Sequence, residues 1–147
     1  MSIRRMRLGE AIALLGAVCV IVALTLSWYE TPEGNLSAWA TFGPAVVLLM
    51  LAAAVALVLA AATLTERSTA LPVAAAVWST LCGLIGTIAA VVRVLERPHN
   101  ASSLCAGAWL ALAGAVLILL GSWLSMRDER TSLYPPVTHE PRKPAST

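Results

Sequence analysis

The charged side chains of this chain fall in a few short stretches, and the intervals between them constrain the fold most. No Asp, Glu, Lys or Arg occurs in 11–29, 34–65, 68–92 or 98–126. A helix rises about 1.5 Å per residue, so roughly 20 residues cover a hydrocarbon core of about 30 Å. Lipid offers no water to pair with the backbone, so each such segment must satisfy its own N–H and C=O groups as a helix. The pattern predicts an all-α protein, a transmembrane four-helix bundle of antiparallel up-down topology with spans at about 8–28, 44–64, 71–95 and 104–124. The bundle would occupy 1–125, and the polar segment 126–147, with Pro135, Pro136, Pro141 and Pro144, is expected to be a disordered cytoplasmic tail. A composition of 59% hydrophobic and 12% charged residues places the chain among integral membrane proteins, and the four spans leave no room for a separate soluble domain of ordinary size.

Placement of the basic residues predicts orientation. Arg4, Arg5, Arg7, Arg67, Arg127, Arg130, Arg142 and Lys143 fall on one side of the spans and only Arg93 and Arg97 on the other, eight against two. Lys and Arg are retained in the cytoplasm, so both termini are expected inside, in the cell membrane of a multi-pass protein. The same residues are too few and too scattered for a nucleic-acid surface.

Helices in lipid gain little from hydrophobicity when they associate, because the tails are as apolar as Leu; close packing around small residues takes over. Gly107, Gly114 and Gly121 recur every seven residues in the fourth span, and Gly9, Gly16 and Ala23 repeat that spacing in the first. Ser79, Gly83 and Gly86 make a similar series in the third. Seven residues are close to two turns, so each series is expected to form a packing groove. One of these grooves would alternatively serve a homo-oligomer.

The first loop is the most individual segment. Thr31-Pro32-Glu33-Gly34-Asn35 carries turn chemistry, and Trp39 and Phe42, three apart, would share a face of a short surface helix. Trp28 and Tyr29, at the end of the first span, fit an interfacial aromatic belt. Arg93, near the outer end of the third span, is expected to snorkel to the surface and pair with Glu96 or Glu30. Glu10 is expected close to water, beside Arg7.

Most chemical constellations fail on spacing. Cys19, Cys82 and Cys105 form no C-x-x-C, although Cys19 and Cys82 would lie at similar depth. His99 and His139 are the only histidines and fall on opposite sides, so no metal site is expected. No phosphate loop or nucleophile motif occurs, and no cofactor is expected.

Ser27-Trp28-Tyr29, Leu36-Ser37-Ala38-Trp39-Ala40-Thr41-Phe42 and Met126-Arg127-Asp128-Glu129 occupy characteristic places around the spans. In these the chain resembles a broad set of uncharacterised four-span membrane proteins of high-GC actinobacteria. The resemblance implies the span count and brings no functional residues with it.

The sequence therefore points to a non-enzymatic tetraspan, a structural, accessory or scaffolding subunit. It would work through its helix faces and first outer loop, with the bilayer and a membrane-protein partner around it. The alternative is a small transporter or channel component, a homo-oligomer lined by Thr25, Ser79, Thr80, Thr87 and Ser122. A lipid-directed enzyme built on Glu30, Glu33, Arg93 and His99 is the third class.

Overall fold

The computed structural model describes residues 8–40, 43–65, 70–96 and 101–132. Most of them are helical: α1 Leu8–Thr25, α2 Pro44–Thr65, α3 Ala70–Leu95 and α4 Ala106–Ser132. All four are long and apolar enough to cross a membrane. At about 1.5 Å per residue the shortest, with 18 residues, spans about 27 Å. Pro44 opens α2, where its missing N–H costs nothing. The fourth helix runs past the boundary expected at 125, as far as Ser132, so 126–132 is helix rather than tail. Residues 133–147 lie outside the described residues.

The helices close into a ring, α1 against α4, α4 against α3, α3 against α2 and α2 against α1, and the α1–α4 interface is the most extensive. Side chains are sorted by size rather than by polarity. The interior is built from Ala13, Ala17, Ala23, Ala52, Ala56, Ala76, Ala111 and Ala115, all fully buried, with a few larger residues such as Leu49, Leu59 and Ile118. Large apolar side chains point outward on every helix, among them Leu15, Val18, Val47, Leu51, Trp78, Ile88, Trp109 and Trp123. Water would penalise such an exterior at roughly 25 cal/mol per Å², whereas lipid does not.

The α1–α4 interface is a contact between backbones. A Cβ built on Gly16 would stand 2.6 Å from the Gly114 carbonyl oxygen, and one on Gly114 would stand 2.8 Å from that of Gly16. Gly9 meets Gly121 and Ser125 in the same way, and Gly107 meets Ser27 and Trp28. The numbering falls along one helix as it rises along the other. The α3 series does not form a single groove: Gly83 lies against Leu119 of α4, while Gly86 lies against Ala52 of α2. Three residues turn a helix by about 300°, which leaves the two glycines about 60° apart and able to face different neighbours. One buried hydrogen bond, 2.6 Å between the Ser79 and Ser122 hydroxyls, ties α3 to α4.

A small sheet departs from the all-α expectation. Strands β1 (Ser27–Thr31), β2 (Gly34–Ser37) and β3 (Ser103–Leu104) form an antiparallel sheet of order β2-β1-β3. The helix expected around Trp39 is instead strand β2 followed by a turn at 38–40, and Phe42 lies outside the described residues. Likewise the first span ends at Thr25, and Leu104 belongs to the sheet rather than to the fourth span. Thr31 pairs with Gly34 across Pro32-Glu33, and Gly34 holds φ 130°, a conformation side chains resist. The Thr31 hydroxyl closes the turn by donating to the Gly34 carbonyl at 2.6 Å.

Two alanine substitutions separate a backbone contact from a side-chain contact. The Cβ of Gly114→Ala would meet the Gly16 carbonyl and the Val20 backbone nitrogen, neither of which yields easily; that of Gly86→Ala would stand 3.2 Å from the Ala52 methyl. Gly114→Ala should cost about 1–3 kcal/mol of bundle stability and Gly86→Ala well under about 1 kcal/mol, read by unfolding in bicelles. Equal costs would contradict this account of the interface.

Candidate functional site

Consecutive residues of a strand normally face opposite sides of a sheet. Trp28 and Tyr29 break that rule. Both rings are buried, Trp28 to 2% exposure and Tyr29 to 0%. The cause is a bulge: Ser27 pairs with Ser37 and Tyr29 with Leu36, so Trp28 is the extra residue on β1. Its carbonyl accepts instead from the Cys105 N–H at 2.9 Å, where the chain enters α4. The two rings sit 6.5 Å apart, tilted by 59°.

Both rings, expected at an interface, pack inside the protein, and their polar edges have another use. The last carbonyls of a helix have no partner within the helix, and leaving one unpaired in an apolar setting costs about 1–3 kcal/mol. The Trp28 indole N–H donates to the Ala23 carbonyl in the last turn of α1, at 2.8 Å, as a second donor beside the Leu26 N–H at 3.2 Å. The Tyr29 hydroxyl donates to the Arg93 carbonyl in the last turn of α3, at 2.9 Å. Adjacent aromatic residues thus cap the C-terminal ends of two different helices and fasten the sheet across that end of the bundle. Leu36, Ala38, Ala101 and Leu104 pack into the same apolar cluster beneath it.

On the outside of this cap lie the acidic residues. The Ser103 hydroxyl donates to the Glu30 carboxylate at 2.7 Å, and the Glu30 carbonyl accepts from both the N–H and the hydroxyl of Ser102, at 2.8 and 3.0 Å. Glu33 is exposed at the hairpin turn. Arg93 and Glu96 line a cleft of about 290 Å³ between α2 and α3, whose walls are Pro44, Ala45, Leu48, Ala89 and Val92. The ion pair expected of Arg93 does not form with Glu30 or Glu96. Trp39, half exposed, borders a groove of about 320 Å³ between α1 and α2, with Ile21, Leu24, Met50 and Leu57.

Other candidates are distributed through the bundle. Thr25, Thr80 and Thr87 donate to carbonyls of their own helices, Val22, Ala76 and Gly83 respectively. Ser79 and Ser122 bond each other, so all five hydroxyls of the pore-lining alternative have partners within the protomer. Cys19, Cys82 and Cys105 are free thiols. Glu10 is 4% exposed, buried rather than beside water. Among the described residues no group of three or more His, Cys, Asp or Glu converges as for a metal. His99 and Arg97 lie outside the described residues. The cap escaped the sequence reading, although Pro32-Glu33-Gly34 between Tyr29 and Leu36 carried a turn signal for it. Neither family models, nor curated proteins, nor solved structures gave any match to the chain.

Burial raises the Tyr29 phenol above its ordinary value of 10.0, and the nearby Arg93 guanidinium opposes part of the rise. The folded chain therefore holds this proton to higher pH than the unfolded chain does. The resulting stability is complete below pH 10 and is lost as pH climbs through the raised value. With Tyr134→Phe leaving Tyr29 as the only tyrosine, ultraviolet titration in micelles should give a midpoint above 10.0, the ordinary value. Tyr29→Phe should destabilise the fold by about 1–3 kcal/mol by orphaning the Arg93 carbonyl.

Proposed function

We propose that this chain is a four-span protein of the cell membrane, up-down and antiparallel, with both termini in the cytoplasm and the sheet-capped end outside. Its role is that of a non-enzymatic structural or accessory subunit, presenting helix faces and the capped loop to a membrane partner. The observation that carries the reading is the size-sorted packing, with small residues inside and Leu, Val, Ile and Trp projecting from every helix. Such an exterior is suited to lipid and to neighbouring helices alike. Orientation rests on the eight-to-two partition of Lys and Arg. The resemblance to actinobacterial four-span proteins agrees with this span count.

The transporter alternative draws less support from the geometry. The hydroxyls it would need are hydrogen-bonded within the protomer, and the α1–α2 groove is lined almost wholly by apolar side chains. An intramembrane route for ions or polar solutes needs polar groups free to replace water.

Orientation is tested with single cysteines in a cysteine-free background. Glu33→Cys at the hairpin turn should react with a membrane-impermeant maleimide in intact cells, and Thr65→Cys at the end of α2 only after lysis. The reverse pattern would invert the topology. The accessory role is tested by a photo-crosslinking residue at Trp78 or Trp109, both more than half exposed. One defined adduct in native membranes is expected. A lack of adduct together with ion or solute flux from reconstituted vesicles would transfer the case to the transporter.

A further inference from the structure

The cleft between α2 and α3 at the capped end combines two features that the subunit role leaves unused. Its wall is apolar, formed by Pro44, Ala45, Leu48, Ala89 and Val92, and its rim carries a cation, Arg93, and an anion, Glu96. The two opposite charges border one cleft of about 290 Å³ and do not close into an ion pair with each other. The Arg93 side chain is partly buried, and its backbone is anchored at this end of the bundle by the Tyr29 hydroxyl, which donates to its carbonyl. A guanidinium at the rim of this cleft presents planar donors that match a phosphate. The neighbouring carboxylate matches a group that is positively charged and can donate hydrogen bonds.

We propose that this cleft binds a zwitterionic phospholipid with a primary ammonium head, of the phosphatidylethanolamine type. Arg93 takes the phosphate, Glu96 takes the ammonium, and the first part of an acyl chain lies along Leu48, Ala89 and Val92. The complementarity is chemical as well as electrostatic. A phosphatidylcholine head has the same net charge but no N–H to give Glu96. A phosphatidylglycerol head satisfies Arg93 and places a net negative lipid beside a carboxylate. Charge-assisted hydrogen bonds of this kind contribute enough to favour the ethanolamine head roughly tenfold over either competitor.

This inference rests on the membrane reading above, and its test separates the two. The full chain is reconstituted into vesicles containing equal parts of the three lipids. Flotation is scored first, and then the lipids retained through mild-detergent extraction are measured by native mass spectrometry. Wild type should float and retain phosphatidylethanolamine roughly tenfold over the other two, as expected from charge-assisted bonds. Arg93→Gln should lower retention of all three lipids, which share the phosphate, and Glu96→Gln should turn the preference toward phosphatidylglycerol. Both variants keep the Arg93 backbone carbonyl or its Tyr29 partner, so a preserved fold is checked by near-ultraviolet circular dichroism. Equal retention of the three lipids by floating wild type, or a preference unchanged by Glu96→Gln, would overturn the site alone. A chain that stays at the bottom of the gradient, apart from the vesicles, would overturn the membrane reading itself.

Discussion

The closeness of α1 and α4 governs the rest of the architecture. Their backbones meet through Gly9, Gly16, Gly114 and Gly121, and none of these positions has room for a methyl group without a clash against main-chain atoms. Hydrophobicity inserts such helices but does not pull them together, so dispersion between closely fitted surfaces and weak Cα–H to carbonyl contacts must supply the attraction. This seam joins the first helix to the last and closes the ring. Helices α2 and α3 complete it with methyl-on-methyl packing and a single serine pair, a looser arrangement that leaves clefts between them.

A second constraint acts at the capped end. Helices α1 and α3 both finish there, and each presents a last-turn carbonyl to the sheet: that of Arg93 takes its donor from Tyr29, and that of Ala23 accepts from Trp28 as well as from the Leu26 N–H. The bulge on β1 turns two neighbouring rings to the same side, so that one strand supplies donors to both helices. The sheet is thereby part of the bundle rather than an ornament of the loop. It also fixes Arg93, because the residue whose carbonyl accepts from Tyr29 is the one whose side chain borders the α2–α3 cleft.

The four helices were legible because exclusion of charge over some twenty residues has few other physical meanings. The seven-residue glycine spacing in α1 and α4 was equally visible, whereas the division of Gly83 and Gly86 between two neighbours was not. A series of small residues records which faces are smooth, not how many partners share them. The sheet was hidden for three reasons. Its strands are short, its turn uses Pro32-Glu33 in place of the Asn-Gly signal, and its third strand comes from Ser103-Leu104, more than seventy residues later than β1. Trp28 and Tyr29 fitted an aromatic belt equally well on sequence grounds. Only the path of the backbone through the bulge distinguishes a ring that faces headgroups from one that reaches a buried carbonyl. The cleft bearing Arg93 and Glu96 was legible as two residues but not as a cavity, since half of its wall comes from Pro44, Ala45 and Leu48 of the preceding helix.

The seam between the first and last helices has a consequence for how the protein is made. Ribosomes deliver spans in order, and the glycine face of α1 enters the bilayer long before α4 exists to cover it. Until then, that exposed backbone has only lipid or a temporary companion, such as the insertion machinery, against it. Maturation is therefore a terminal event that waits for the fourth helix, and a chain stalled after its third would display an unfilled furrow to whatever quality-control protease patrols the bilayer.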